Sequence, residues 1–187
     1  MIQNKKGNMG MGTLIIFIAM IIVAAIAAAV LISTTTSLQN KALETGSATR
    51  DEVGTALNVL EVYGVDGTTG TLDNITTIIK IGAGSEPVRL SDLLVSLALD
   101  NRSADYTYNE TNATPTQFTV DYSINGSEHR DGFLSTGDVA KLTFISPRGV
   151  GESEDIRISF VPKVGTPYTV DTKSPTLIVN ERTQIFP

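Results

Sequence analysis

The chain has 187 residues, and its 20 acidic residues against 14 basic ones give a net charge of −6, which argues against a phosphate backbone, and so nucleic acid, as partner. It has no Cys, which excludes disulfides and thiol chemistry, and its single His, His129, leaves nothing with which to build a zinc site.

The amino terminus is basic, with Lys5-Lys6-Gly7 and then Asn8-Met-Gly10-Met-Gly12-Thr13. From Leu14 to Ile32 the sequence reads LIIFIAMIIVAAIAAAVLI without interruption, and no charge occurs between Lys6 and Lys41. As a helix this run spans roughly 30 Å, the thickness of a bilayer's hydrocarbon core. A water-exposed domain of this size does not carry such a surface; it belongs in lipid, in a partner, or in many copies of itself. The two Lys ahead of it hold the amino terminus in the cytoplasm and send the rest outward. The run is too long for an ordinary secretory signal. A short basic leader ending in Gly, once cut, removes the charges and keeps the helix, which suits a subunit stored in the membrane and later drawn into a polymer.

The run is rich in small residues: Gly10 and Gly12 before it, and Ala19, Ala24, Ala25, Ala27, Ala28 and Ala29 within it. A lone anchor is served as well by Leu or Val, so the excess of Ala favours close helix–helix packing. Past Ile32, Leu38, Ala42, Leu43, Val53, Ala56, Leu57 and Leu60 recur at spacings near three and four, with charges between, an amphipathic pattern. No Pro intervenes before Pro87, and Gly64 and Gly67 offer a stop. This predicts one helix from about Met9 to Tyr63.

The period then changes to two. Phe118, Val120, Tyr122 and Ile124 alternate with polar residues, as do Ala140, Leu142 and Phe144, and Ile156, Ile158 and Phe160; Leu93, Val95, Leu97 and Leu99 share another face. Further strand candidates are Ile75–Ile81, Ala104–Tyr108, Tyr168–Asp171 and Thr176–Val179, separated by Gly, Asn and Pro clusters. Seven or eight short strands of this kind predict an antiparallel sandwich or small barrel, and with the helix an α+β fold.

No catalytic constellation emerges, and no cofactor or metal is implied. His129 sits in Ser-Glu-His-Arg-Asp, read as a solvated turn. Asp131 with Asp138, or Glu152, Glu154 and Asp155, could supply oxygens to calcium, but neither set matches an EF-hand loop, and solvated acidic loops are the better reading. Five sites fit Asn-x-Ser/Thr: Asn74, Asn101, Asn109, Asn112 and Asn125. Chance placement among ten Asn predicts about two, so the excess marks them as N-glycosylation candidates.

Lys5-Lys6-Gly7, Gly10, Gly12-Thr13-Leu14-Ile15 and Ala24 through Ile32 resemble an archaeal flagellin (archaellin), a family related to the type IV pilins. Leu134-Ser-Thr-Gly137-Asp138 and Pro162…Gly165-Thr-Pro167 are similar to its later segments. Type IV pilins usually carry Glu at the fifth mature position; here that position is Gly12, which favours archaellin. The resemblance implies that a prepilin-peptidase-like enzyme cuts between Gly7 and Asn8, leaving twelve basic against twenty acidic residues and a charge of −8. It implies an immunoglobulin-like sandwich and a habit of N-glycosylation. The expected organisation is a leader (residues 1–7), a filament-core helix (8–63) with close packing at Ala24, Ala25 and Ala28, and an outer β-sandwich (64–187). The expected role is the structural subunit of an extracellular archaeal flagellum, not an enzyme. It would be membrane-inserted before assembly, polymerise with itself or with other archaellins, and be turned by a membrane motor for swimming. Two alternatives stand beside it, an adhesive type IV-like pilin and a membrane-anchored exported domain that binds a ligand or carries out hydrolysis.

Overall fold

Ala, Leu and Ile cost little to place in a helix, and no Pro obstructs the first third of the chain. The computed structural model describes residues 3–65 and 70–187, with side chains from Met9 onward. In it Gln3–Gly54 form one helix, α1, whose 52 residues span roughly 78 Å. The chain divides into two compact units, residues 1–48 and 49–187. The described part of the first is helix throughout; the second holds the last turn of α1 and all the strands.

The helix ends at Gly54, not Tyr63, and residues Leu57–Val65 form strand β1. The boundary expected at residue 63 is therefore corrected. Val53, Ala56, Leu57 and Leu60 fit a helical spacing, but Leu57, Val59 and Val62 are the buried side chains, and Leu38, Leu43 and Val53 stay exposed. β1 takes hydrogen-bonding partners on both flanks, which outweigh a helix propensity already weakened by Gly54 and Thr55. Gly64 lies inside β1, where a Cβ would meet the Leu72 side chain at 2.4 Å; Gly67 lies outside the described residues.

Among the described residues ten further strands follow: β2 (Leu72–Ile81), β3 (Val88–Arg89), β4 (Leu93–Leu99), β5 (Arg102–Tyr108), β6 (Gln117–Ile124), β7 (Phe133–Leu134), β8 (Val139–Val150), β9 (Asp155–Pro162), β10 (Tyr168–Lys173) and β11 (Arg182–Phe186). β3 and β7 pair with each other; the other nine form one sheet in the order β10-β9-β4-β5-β6-β8-β2-β1-β11. All pairs are antiparallel except β5–β6, which join in parallel through Thr107–Gln117 and Tyr108–Phe118. That short seam lets the sheet fold over a single core. Tyr106 of β5 faces Phe144 of β8, ring centroids 5.0 Å apart, and its hydroxyl donates to the Ile145 carbonyl at 2.6 Å. Burial pushes the Tyr106 phenol up to about 12. The two outermost strands also touch, Thr172 Oγ1 donating to the Ile185 carbonyl at 2.8 Å.

The alternation of β4, β8 and β9 is realised: Leu93, Val95, Leu97, Ala140, Leu142, Phe144, Ile156, Ile158 and Phe160 are buried. Ile124 departs from it, because a register shift after Tyr122 turns its side chain to solvent. Thr176–Val179, expected as a strand, belongs to none.

Candidate assembly helix and its anchorage

The run Leu14–Ile32 presents its Leu, Ile and Phe side chains to solvent on every side of α1. Met9–Gly54 is the one described helix long and apolar enough to cross a membrane. Three hydroxyls at the two ends of the run bond back within the helix. Thr13 Oγ1 donates to the Gly10 carbonyl at 2.9 Å, Thr34 Oγ1 to Val30 and Leu31 at 3.0 Å each, and Thr36 Oγ1 to Ile32 at 2.9 Å. Such back-bonding lets a hydroxyl enter a dry environment without an unmade hydrogen bond. Ala24 and Ala28, and Ala25 and Ala29, lie four residues apart and so stack along the helix as strips of low relief. Gly10 and Gly12 have open space where a Cβ would stand. Lys5, Lys6, Gly7 and Asn8 continue the helical backbone, and their side chains lie outside those described, as do Met1 and Ile2 of the leader altogether.

The helix exit is fastened by Ser85, in a turn that the sequence marked only as a break between strands. Its hydroxyl donates to the Gly54 carbonyl at 3.1 Å and accepts the Ala56 amide at 3.1 Å. Gly82 donates its amide to the Ala56 carbonyl at 2.8 Å, and Thr166 to the Thr55 carbonyl at 3.1 Å. The neighbouring Gly165 has φ +114°, and a Cβ there would meet the Thr55 carbonyl oxygen at 2.7 Å, so only Gly fits.

Asp138 and His129 differ from their reading as solvated loop residues. Asp138 has no exposed surface, and its carboxylate accepts the amides of Gly126 at 2.7 Å and Ser135 at 2.9 Å. His129 is mostly covered, its Nδ1 3.3 Å from Asp138, its Nε2 3.4 Å from Asp131, and its ring edge-on to Tyr122 at 4.4 Å. Burial pushes the Asp138 carboxyl up, but the Gly126 and Ser135 amides and the adjacent His129 hold it, on balance, below its ordinary value. Glu154 is likewise buried, ion-paired to Arg148 and accepting the Gly151 amide at 3.0 Å. These carboxylates clamp loops. Among the described residues no three acidic or His side chains gather as a metal site.

The five sequon Asn residues are dispersed. Asn101, Asn112 and Asn125 are exposed. Asn109 is half-buried, its Nδ2 donating to Gln117 Oε1 at 2.8 Å. Asn74 is half-buried within β2, between Val65 and Ile145, and its acceptor Thr76 is buried against Thr143.

A family model described as archaeal-type flagellin matches residues 7–172. The chain belongs to the archaeal-type flagellin family. Flagellin B1 of Methanocaldococcus jannaschii is 32% identical to it over 200 residues, covering 93% of this chain and 92% of that protein. Flagellin B1 of Thermoplasma volcanium is 43% identical over 110 residues, 56% of this chain and 44% of that protein, so there the match spans under half of the relative. Among solved structures, the archaeal flagellum of Methanospirillum hungatei has TM-score 0.74 at 18% identity, covering 95% of this chain and 99% of that one. The crystal structure of the archaeal flagellin FlaB1 from M. jannaschii has TM-score 0.60 at 19% identity, covering 71% and 97%. The flagellum match spans nearly the whole chain, and so the long amino-terminal helix together with the mostly antiparallel sheet domain. An archaeal flagellin is a structural subunit of the flagellar filament, not an enzyme, and its place is the extracellular filament.

Proposed function

We propose that this flagellin polymerises through α1, the helices of many copies packing side by side into a filament core while the sheet domains form its outer layer. The observation that carries the reading is the water-exposed apolar surface of Leu14–Ile32, which no other part of the chain covers among the described residues. Only lipid or other helices can cover it, and its Ala strips suit helices. Before assembly the same helix holds the subunit in the membrane, with Lys5 and Lys6 on the cytoplasmic side. A prepilin-peptidase-like enzyme then cuts between Gly7 and Asn8, Gly10 staying on as the third mature residue. An assembly motor in the membrane draws the trimmed helix into the filament and rotates it for swimming. Asn74, Asn101, Asn109, Asn112 and Asn125 are its candidate glycan acceptors, the three exposed ones leading.

The test is removal of the helix. A chain that starts after Asn40 keeps the nine-stranded sheet and its core, and is expected to run as a monomer on a sizing column. A truncated chain that still forms filaments would place the assembly contacts in the sheet domain and overturn the reading.

A further inference from the structure

Asn125-Gly126 is the only Asn-Gly pair in the chain; the other Asn residues all stand before a residue with a side chain. Asn is a heat-labile residue. Its carboxamide is lost when the backbone nitrogen of the next residue gives up its proton and attacks Cγ. A C–N bond forms, the Cγ–Nδ2 bond breaks, and Nδ2 leaves as ammonia with the proton that the backbone gave up. Water then opens the five-membered imide to Asp or to isoAsp, and isoAsp adds a methylene to the main chain. A following Gly makes the reaction fastest, since it puts no side chain in the way and its backbone turns freely. Asn125 is exposed, so water reaches it.

Packing imposes the Gly. A Cβ at residue 126 would stand 2.6 Å from the Thr136 carbonyl oxygen and 2.9 Å from the Gly137 carbonyl carbon, so no other residue fits. The Gly126 nitrogen, however, is engaged. It donates to Asp138 Oδ1 at 2.7 Å, and Asp138 has no exposed surface. A hydrogen bond to an ionised acceptor is roughly twice as strong as one between neutral groups. Against the upward push of burial, the Gly126 and Ser135 amides and His129 hold the Asp138 carboxyl below its ordinary value, so at neutral pH it is ionised. Taking the proton from Gly126 would set an anionic nitrogen against a buried carboxylate, which like-charge repulsion opposes. The loop resists the motion as well. The Gly126 carbonyl accepts the His129 amide at 3.3 Å, and the Ser135 amide holds the second carboxylate oxygen at 2.9 Å. Ring closure has to turn the Asn125-Gly126 peptide plane and break the contact with Asp138.

We propose that Asn125 is a latent deamidation site and that the Asp138 carboxylate keeps it closed, by holding the Gly126 nitrogen protonated and in place. A new negative charge and an extra main-chain methylene beside buried Asp138 would open this loop, and loss of the carboxamide would erase the Asn125 sequon. The hold therefore preserves the loop over the life of an extracellular polymer.

The test uses full-length subunits in detergent on a Ser127→Ala background, which removes the sequon and leaves Asn125-Gly126 intact. Deamidation is followed by the mass of the Asn125 peptide during incubation at mildly alkaline pH, below the melting temperature of every variant. Asp138→Ala should deamidate at least tenfold faster than the parent, and Asp138→Asn, which keeps the shape and a neutral acceptor, should fall between. Ser85→Ala, weakened at the helix exit instead, should match the parent. Equal rates for Asp138→Ala and the parent would overturn the proposal. So would a slower rate, since the carboxylate would then be the base that starts the reaction. A rise in Ser85→Ala as large as that in Asp138→Ala would overturn it too, by assigning the effect to lost stability. The parent supplies a readout that needs no folded variant. Its Gly126 amide should exchange with deuterium at least tenfold more slowly than a free Gly amide, and free exchange would overturn the hold.

Discussion

The Ser85 hydroxyl lies 3.1 Å from the carbonyl oxygen of Gly54, the final residue of the helix, and at the same distance takes the amide of Ala56. One side chain, 31 residues downstream of the helix end, thus satisfies an acceptor and a donor where helix turns into sheet. Ser85→Ala leaves both groups short of a partner beside buried Thr55. The expected cost is about 1–3 kcal/mol, seen as a lower melting temperature of the disassembled subunit. Ser85→Thr, which keeps the hydroxyl, should recover most of it. Equal melting for Ser85→Ala and the parent would remove Ser85 from the joint.

Asp138 gives the fold a pH dependence with a definite sign. Its folded-state carboxyl titrates below its ordinary value of 3.8, so its contribution is complete above that pH and is lost as pH falls through the folded value. Asp138→Asn should therefore melt lower at pH 7, by about 1–3 kcal/mol, the gap closing as the pH is taken below the carboxylate range. A gap that stays constant from neutral to acid pH would show that the charge contributes nothing.

Much of the architecture is legible in the sequence, and what is not has identifiable causes. Leu14–Ile32 declares a helix because no alternative accommodates so long an apolar run. β4, β8 and β9 declare themselves because each buries one face only. Leu57–Tyr63 misleads, since Leu57 and Leu60 satisfy a helical period while Leu57, Val59 and Val62 form the core; long-range pairing to β2 and β11 decides between them. Thr176–Val179 has strand composition but no partner strand. Asp138 and Ser85 look like ordinary turn residues, because their burial depends on amides distant in sequence or hidden in the turn. A lone acidic residue after Ser-Thr-Gly was the available hint.

Processing and glycosylation share one measurement, the masses of subunits from native filaments. Cleavage after Lys5-Lys6-Gly7 makes Asn8 the first residue, and Gly7→Val, which crowds the scissile bond, should leave uncut subunits in the membrane and few filaments. Peptides containing Asn101, Asn112 or Asn125 should carry added mass more often than those with Asn74 or Asn109, whose side chains are half-buried. Subunits that begin at Met1, or unmodified masses at all five sites, would count against the respective proposal.

Close packing of α1 at its Ala positions is what the proposed filament core requires, and Ala25→Leu with Ala28→Leu addresses it directly. A lone membrane anchor gains from added hydrophobicity. A packed bundle of helices has no spare volume there, and each enlargement costs about 1–3 kcal/mol in every subunit of the polymer. Filament yield in electron micrographs of sheared cells, set against membrane-bound subunit on blots, separates the two. The predicted result is a subunit that is exported, cut and held in the membrane at normal level while filaments and swimming are largely lost. Filaments of normal number and length from the double Leu variant would contradict it.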